Sequence, residues 1–236
     1  MKALKRSKTL TERAVEILRN SIIENIYMLG EPLSEKLLSE SMGISKSPVR
    51  EALAQLKVEG LVTIIPQKGT FVFTLTLKEL SDLTRMRLIL ESAALRISFE
   101  KHREDLIRAL RENLNAMQRY LIEDDLMNYL KHDTSFHVSL FDFCDNSYLR
   151  DAYSQISGKS AALRVRISKQ PRHTDKTFQE HLKFVECIEQ GNVEEAIKML
   201  EVHFSSFEKY YLENFDTIAI SNASSTRKAR HHNQRI

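Results

Sequence analysis

The spacing of apolar residues divides the first part of the chain into short helices followed by two β-rich runs. Helical periodicity predicts a first helix over about residues 10–26 and a short second helix between its cap residue Ser34 and Gly43. A third helix is predicted to begin with Ser47 as its cap and to end near residue 60. Helix, tight glycine turn and helix is the arrangement of a helix-turn-helix motif.

Two runs of β-branched and aromatic residues follow the third helix. They cover residues 61–65 and 70–73, and residues 66–69 join them, which predicts a β-hairpin or wing. A winged helix-turn-helix can bind duplex DNA because the third helix enters the major groove while the wing tip reaches the backbone or the minor groove. Long cations stand on the second and third helices and at the wing tip: Lys36, Lys46, Arg50 and Lys68.

Arg50 is the best candidate for reading a base, because a guanidinium can donate two parallel hydrogen bonds to a guanine edge. The alternative is that these cations are ordinary solvated charges on a small structural or protein-binding winged helix. Cations clustered at the N-terminal end of a third helix favour the DNA-binding interpretation.

Long helical periodicity with few glycines or prolines continues from about residue 75. Candidate helices cover the following approximate ranges: 78–99, 104–123, 125–144, 147–168, 175–190 and 193–215. This succession predicts an antiparallel helical bundle. The predicted fold class is therefore mainly α, with an N-terminal winged helix-turn-helix that includes a small β-hairpin and a C-terminal all-α antiparallel helical bundle.

Five polar residues lie on the apolar stripes of these helices: Arg87, Asp133, His137, His181 and His203. A buried carboxylate needs a compensating cation or several hydrogen-bond donors. Three inward histidines and one aspartate, contributed by three helices of a bundle, can supply a 3-His-1-carboxylate site for a cation. The alternative is a network of hydrogen-bonded core residues without a metal.

Chain length and charge distribution favour two units. A chain of 236 residues suits two compact domains, predicted here as residues 1–75 and 76–216, with a basic, disordered tail over 217–236. The first 75 residues hold 11 Lys and Arg against 8 Asp and Glu, whereas residues 76–226 hold 20 against 24. A basic unit joined to a mildly acidic one favours a polyanion-binding module attached to a second domain.

The chain has no apolar run of the length that a signal peptide or a membrane span needs, so the sequence predicts a cytoplasmic protein without a membrane partner. Its two cysteines, Cys144 and Cys187, lie in helical apolar patterns without a CxxC neighbour. They are predicted to be reduced core residues without a chemical role.

Several short motifs in the first unit are highly specific. They are the run from Pro32 to Leu38, the run from Gly43 to Leu53 with its Ser-Lys-Ser-Pro-Val-Arg-Glu-Ala-Leu core, the Glu59-Gly60-Leu61 triplet, and the run from Lys68 to Val72. Together they closely resemble the DNA-binding domain of the GntR family. The resemblance implies operator contacts by Lys36, Ser45, Lys46, Ser47 and Arg50, and it makes Gly69 the wing-tip glycine.

The second unit carries motifs of its own: Arg87 to Glu91, Asp133 to His137, Asp145-Asn146, Glu180-His181 and His203. These resemble the FCD effector domain of the FadR subfamily of GntR regulators, and the resemblance extends over residues 9 to about 215. It implies that Asp133, His137, His181 and His203 hold a divalent metal such as zinc or nickel, and that Arg87 faces the effector cavity. It also implies a homodimer that binds double-stranded operator DNA, a small organic acid as effector, and repression relieved by that effector.

Two other classes of function remain open at this point. A metal-dependent enzyme fused to a DNA-binding module would use the same ligands, but the four residues would all be consumed by the metal and no further inward acid or base is evident. The sequence therefore predicts that the chain is not an enzyme. In an architectural DNA-binding dimer without an effector, Arg87 would form a buried salt bridge with Glu91 or Asp133.

Overall fold

The computed structural model of the chain describes residues 7–168 and 173–214. The chain forms two compact units, of which the first ends at Thr74 and the second begins at Leu75. The basic tail expected over residues 217–236 lies outside the described residues. None of the helices in the described ranges combines the length and the apolarity needed to cross a lipid bilayer.

The described part of the first unit contains three helices and three short strands: α1 (Leu10–Ile23), β1 (Pro32–Leu33), α2 (Glu35–Met42), α3 (Lys46–Val58), β2 (Val62–Ile65) and β3 (Gly69–Val72). The strands form one antiparallel sheet in the order β1, β3, β2. β2 and β3 make the expected hairpin, in which Val62 pairs with Val72 and Ile65 pairs with Gly69. One face of α3 packs into the core through Val49, Ala52, Leu53 and Leu56.

Helix α1 begins where the sequence predicts but ends earlier. Thr9 and Glu12 form a reciprocal capping box at its start. The helix ends at Ile23 because Asn25 adopts a left-handed conformation with φ of 63°, which a continuing α-helix does not allow. Ile26, predicted to lie on the buried stripe, is consequently 64% exposed.

Helix α3 begins two residues earlier than predicted, because its cap is Ser45 rather than Ser47. Ser45, with an extended backbone, precedes the first helical residue Lys46, and Ser47 lies inside the first turn. A proline is tolerated in the first helical turn, where backbone N–H groups have no intrahelical partner, so Pro48 does not determine which residue starts the helix. The two serines and Lys46 are all exposed at this end of α3.

Strand β1 is not predicted from the sequence. Its two residues pair with β3, and the Val72 N–H donates to the Glu31 carbonyl at 2.9 Å. Two residues are too few to show the alternation of apolar and polar positions that marks a strand. Only the pairing with β3 identifies it.

The second unit consists, in its described part, of five helices: α4 (Leu77–Ile122), α5 (Leu126–Asp142), α6 (Ser147–Ile167), α7 (His173–Glu189) and α8 (Val193–Glu213). Helix α4 packs against each of the other four, α5 packs against α6, and α7 packs against α8. The mainly helical fold class predicted from the sequence is confirmed.

Helix α4 replaces the two helices predicted over 78–99 and 104–123. Only His102 departs from helical backbone angles, with φ of −141° and ψ of 46°, and the chain bends there without ending the helix. The apolar stripe resumes beyond the bend, where Leu106, Leu110 and Leu114 are buried. The imidazole of His102 lies 3.0 Å from the Asp145 carboxylate, at the turn between α5 and α6.

Candidate functional site

Three histidines from three helices converge in the core of the second unit. His137 of α5, His181 of α7 and His203 of α8 each offer a ring nitrogen, and these atoms lie within 4.8 Å of one another. The Nε2 atoms of His137 and His181 are 3.4 Å apart. All three side chains are buried, so the sequence-predicted histidines are brought together at one point.

Two carboxylates hold the outer nitrogens of these histidines. Glu91 of α4 lies 2.7 Å from His137 Nδ1, and Glu180 of α7 lies 2.8 Å from His203 Nδ1. A carboxylate at Nδ1 favours the tautomer in which Nδ1 carries the proton, so Nε2 keeps its lone pair. Histidines that ligate metals almost always donate their other ring N–H to such a partner. The arrangement therefore fits a metal at the Nε2 atoms of His137 and His203, whereas Nδ1 of His181 has no hydrogen-bond partner among the described residues.

Asp133 lies beside the same centre. Its Oδ1 is 3.6 Å from His181 Nε2, and its Oδ2 is 2.9 Å from Arg164 Nε. Both carboxylate oxygens are buried, and neither accepts a well-oriented hydrogen bond from a described residue. Buried oxygens of this kind leave coordination sites for a cation.

The charge states of these ligands also suit a metal. Burial raises the pKa of the Asp133 carboxyl, but Arg164 and the neighbouring histidines more than offset it and bring the pKa down to about 2. Burial lowers the pKa of His181 to about 4 and holds the pKa of His137 well below its ordinary value. At neutral pH the site therefore offers a carboxylate and neutral imidazoles, the forms that bind divalent metals.

Arg87 lies deep in the core, as its place on the apolar stripe predicts. Its guanidinium forms an ion pair with Glu91 at 3.0 Å and lies 4.3 Å from the centre of the Phe204 ring. Glu91 thus bridges Arg87 and His137, and its side chain is fully buried. The expectation that no further acid faces the core is wrong, because the Glu91 carboxylate lies there. Its position four residues after Arg87 on one helical face is the signal that could have identified it.

Arg164 of α6 was missed altogether. Its side chain is only 7% exposed and pairs with Asp133, while its Nη2 donates to the Thr134 hydroxyl at 2.8 Å. Its Nη1 has no hydrogen-bond partner among the described residues. The run from Ala161 to Ile167 is buried throughout. The signal that could have identified Arg164 is a charged residue within this mainly apolar stretch.

A cavity of about 210 Å³ reaches the three-histidine centre from outside. It is lined by Asp133, Arg164 and His203 at its inner end, with Tyr129 and the exposed Lys176 among the other lining residues. Among the residues that the structure describes, Arg164, rather than the predicted Arg87, is the arginine on its wall. The cavity is large enough for a small organic acid and has both a cation and the candidate metal ligands on its surface.

The candidate DNA interface lies on the first unit. All seven residues predicted to contact DNA are exposed: Lys36, Ser45, Lys46, Ser47, Arg50, Lys68 and Gly69. Gly69 has φ of 115°, a conformation that side chains rarely allow, and an added Cβ would meet no atom within 4 Å. The requirement for glycine there is therefore the backbone of the wing turn. The guanidinium of Arg50 forms an ion pair with Glu35 of α2 at 2.9 Å.

Comparisons with known proteins find a matching family model for each of the two units. The model of the bacterial regulatory proteins of the gntR family matches residues 10–72, and the FCD domain model matches residues 82–206. The chain is 24% identical over 191 residues to the HTH-type transcriptional regulator YdhC of Bacillus subtilis, covering 80% of this chain and 84% of YdhC. It is 28% identical over 160 residues to the HTH-type transcriptional repressor RspR of Escherichia coli K12, covering 68% of this chain and 69% of RspR.

A solved structure shares the fold. The crystal structure of a GntR transcriptional regulator from Rhodococcus sp. RHA1 superposes with a TM-score of 0.75 and 21% sequence identity, and the match covers 86% of this chain and 97% of that one. Both curated relatives named above are transcriptional regulators. In these relatives the helical unit therefore belongs to transcriptional regulators, as the sequence predicts for this chain.

Proposed function

Since this chain belongs to the GntR family of bacterial regulatory proteins and carries an FCD domain, we propose that it is a repressor whose operator affinity is controlled by a small carboxylate bound beside a divalent metal. Its family makes it a DNA-binding transcription regulator. The metal, the acid and the direction of control are the proposal.

The observation that carries the proposal is the orientation of the histidines. Nε2 of His137 and of His203 is left available because Glu91 and Glu180 engage the Nδ1 atoms. Together with His181 and Asp133, these residues would hold one zinc or nickel ion, since imidazole and carboxylate ligands suit both metals. When bound, the metal supplies a positive centre that an anion can ligate.

Charge around the site explains why the effector is an acid. Each carboxylate near the histidines already has a cationic partner: Glu91 pairs with Arg87, Asp133 with Arg164, and Glu180 with the exposed Lys176. A divalent ion would therefore add positive charge to a largely apolar core, where an uncompensated charge is costly. A bound carboxylate would offset part of that charge.

Arg164 is added to Arg87 as an effector-binding residue. Its buried Nη1 has no hydrogen-bond partner among the described residues. The buried Tyr153 hydroxyl also has no such partner, and it lies close enough to Arg87 and Arg164 for their charges to act on it. Buried donors are rarely left unpaired, so a carboxylate in the cavity would supply acceptors that the protein lacks. The planar guanidinium fork suits that task better than an ammonium.

The proposed DNA-binding form is a homodimer. One winged helix covers one half-site, and two-fold symmetric proteins read nearly palindromic operators. In the second unit, Met86 and Ile89 lie one turn apart on α4 and are 40% and 62% exposed. We assign this apolar face to contact with a second copy. Light scattering that gives the mass of one protein chain plus the duplex for the DNA complex would contradict the dimer.

Metal analysis combined with calorimetry tests the effector site. Protein purified without chelators is analysed for metal, then stripped and reloaded with zinc, nickel or manganese, and each form is titrated with small hydroxy-, keto- and dicarboxylic acids. We expect one metal per chain and acid binding only to the loaded form. Arg87→Lys and Arg164→Lys keep the buried charge but lose the fork, so they should retain metal and bind acid more weakly.

One observation favours a second candidate function, that of an architectural DNA-binding dimer. Arg87 forms the buried salt bridge with Glu91 that such a role predicts. In that case the protein carries no metal after exposure to all three ions, and no acid raises its melting temperature. The four ligand residues would then be a structural network.

A further inference from the structure

Helix α3 presents Arg50 in contact with a carboxylate of the preceding helix α2. Arg50 Nη2 donates to Glu35 Oε2 at 2.9 Å, and Arg50 Nε lies 3.2 and 3.3 Å from the two carboxylate oxygens. The Arg50 side chain is 69% exposed and that of Glu35 is 34% exposed. The pair therefore lies at the surface on which the candidate DNA contacts are found.

A guanidinium has two edges that can each donate a pair of parallel hydrogen bonds. One edge consists of Nε and Nη2, and the other of Nη1 and Nη2. Glu35 occupies the first edge of Arg50, and no hydrogen bond joins Nη1 to any residue that the structure describes. The free edge has the spacing that matches O6 and N7 of guanine in the major groove.

We propose that Glu35 is a positioning residue for base recognition: it holds Arg50 by the Nε–Nη2 edge, so that the Nη1–Nη2 edge is presented to one guanine of the operator. This inference rests on the proposed role of Arg50 in reading DNA. An arginine held in one orientation loses less side-chain freedom when it binds a base, and it is less able to turn towards a phosphate.

The place of Glu35 in the fold keeps its carboxylate charged and beside Arg50. It is in the first turn of α2, directly after the cap residue Ser34, where the positive end of the helix dipole favours a carboxylate. Lys46 lies close enough to contribute to the same electrostatic environment. An exposed ion pair contributes little to stability, and a carboxylate near DNA repels phosphates. Glu35 should therefore weaken binding to all DNA while raising discrimination between sequences.

The test compares binding to two duplexes at fixed salt. One is the duplex that the wild-type protein selects from a random library, and the other is a scrambled duplex of equal length and composition. Glu35→Gln is expected to bind the scrambled duplex more tightly and to lower the ratio of the two affinities by about threefold to tenfold, a fraction of the discrimination of one bidentate base contact. Base preference should relax at the same single base pair that loses preference in Arg50→Ala.

Glu40→Gln is the matched control. Glu40 is another carboxylate of α2 and lies 4.0 Å from Lys36, an ammonium without a fork to orient. Removing its charge should strengthen binding to both duplexes by similar factors and leave their ratio unchanged. Melting curves of each variant verify that the first unit remains folded, and Glu35→Asp, with a shorter reach to Arg50, should show part of the loss.

The double variant Glu35→Gln/Arg50→Ala separates this inference from the proposed function. If Glu35 acts through Arg50, its substitution leaves the affinity ratio unchanged in the Arg50→Ala background. An Arg50→Ala protein that keeps the wild-type ratio would remove base reading by Arg50 and the inference with it. A ratio lowered by Arg50→Ala but not by Glu35→Gln would overturn only the role of Glu35.

Discussion

Two arginine–glutamate ion pairs have almost the same N–O distance but lie in opposite environments. In the first unit, Arg50 and Glu35 are 2.9 Å apart on a surface, with 69% and 34% of their side chains exposed. In the second unit, Arg87 and Glu91 are 3.0 Å apart in the core, with 3% and 0% exposed. Water screens the first pair and is excluded from the second. The same chemical pair can therefore serve recognition in one unit and the architecture of a buried centre in the other.

The largest effect is expected from breaking the buried pair. Arg87→Met keeps an unbranched apolar chain in place of the aliphatic part of the arginine but leaves Glu91 without its cation, so the free energy of unfolding should fall by about 3–5 kcal/mol. The double variant Arg87→Met/Glu91→Gln removes both charges and should recover a large part of that loss. Urea denaturation of both variants measures this, and an unchanged midpoint for Arg87→Met would show that the core does not depend on the pair.

Removing the proposed metal should come next. A ligand bound only to the folded state stabilises it by about 3–4 kcal/mol when its free concentration exceeds the dissociation constant roughly 100- to 1000-fold. Chelation should therefore lower the thermal midpoint of the second unit, and zinc or nickel should restore it. His181→Ala should be insensitive to both treatments. Equal melting of chelated and reloaded wild-type protein would argue against a metal that supports folding.

A smaller effect is expected from the carboxylate that orients a metal-binding histidine. Glu180→Gln keeps the shape of the side chain but weakens the acceptor at His203 Nδ1, so metal affinity should fall about 10- to 100-fold. Competition with a chromogenic chelator measures it. Glu195→Gln, an exposed carboxylate paired with Lys198, is the control and should bind metal like the wild type.

The surface pair should affect stability least. Arg50→Ala is expected to shift the melting temperature by less than about 4 °C, because exposed ion pairs contribute little to folding. Its affinity for the selected duplex should nevertheless fall roughly fivefold to hundredfold if the guanidinium reads a base. Fluorescence anisotropy at fixed salt and a melting curve together test this contrast. A large loss of stability with intact DNA affinity would reverse the roles assigned to the two pairs.

Much of the fold and some of the candidate site could be predicted from local patterns. Helical periodicity, the Thr9 capping box and the apolar run around the wing are local properties of the chain. The prediction was wrong where distant residues intervene. Strand β1 exists only through its pairing with β3, and α4 continues through His102 while its apolar stripe stays packed against the other helices.

The amino-acid sequence by itself determined the type and order of the elements other than β1, and the apolar faces that carry Asp133 and the three histidines, because spacing along one helix is a local quantity. Only the tertiary structure decided which polar groups meet. Glu91 and Glu180 reach different histidines, and Arg164 reaches Asp133 from another helix. Glu35 likewise meets Arg50 across two helices of the first unit. The physical reason is that partners of buried and paired charges are set by packing between helices, and periodicity within one helix contains no information about that packing.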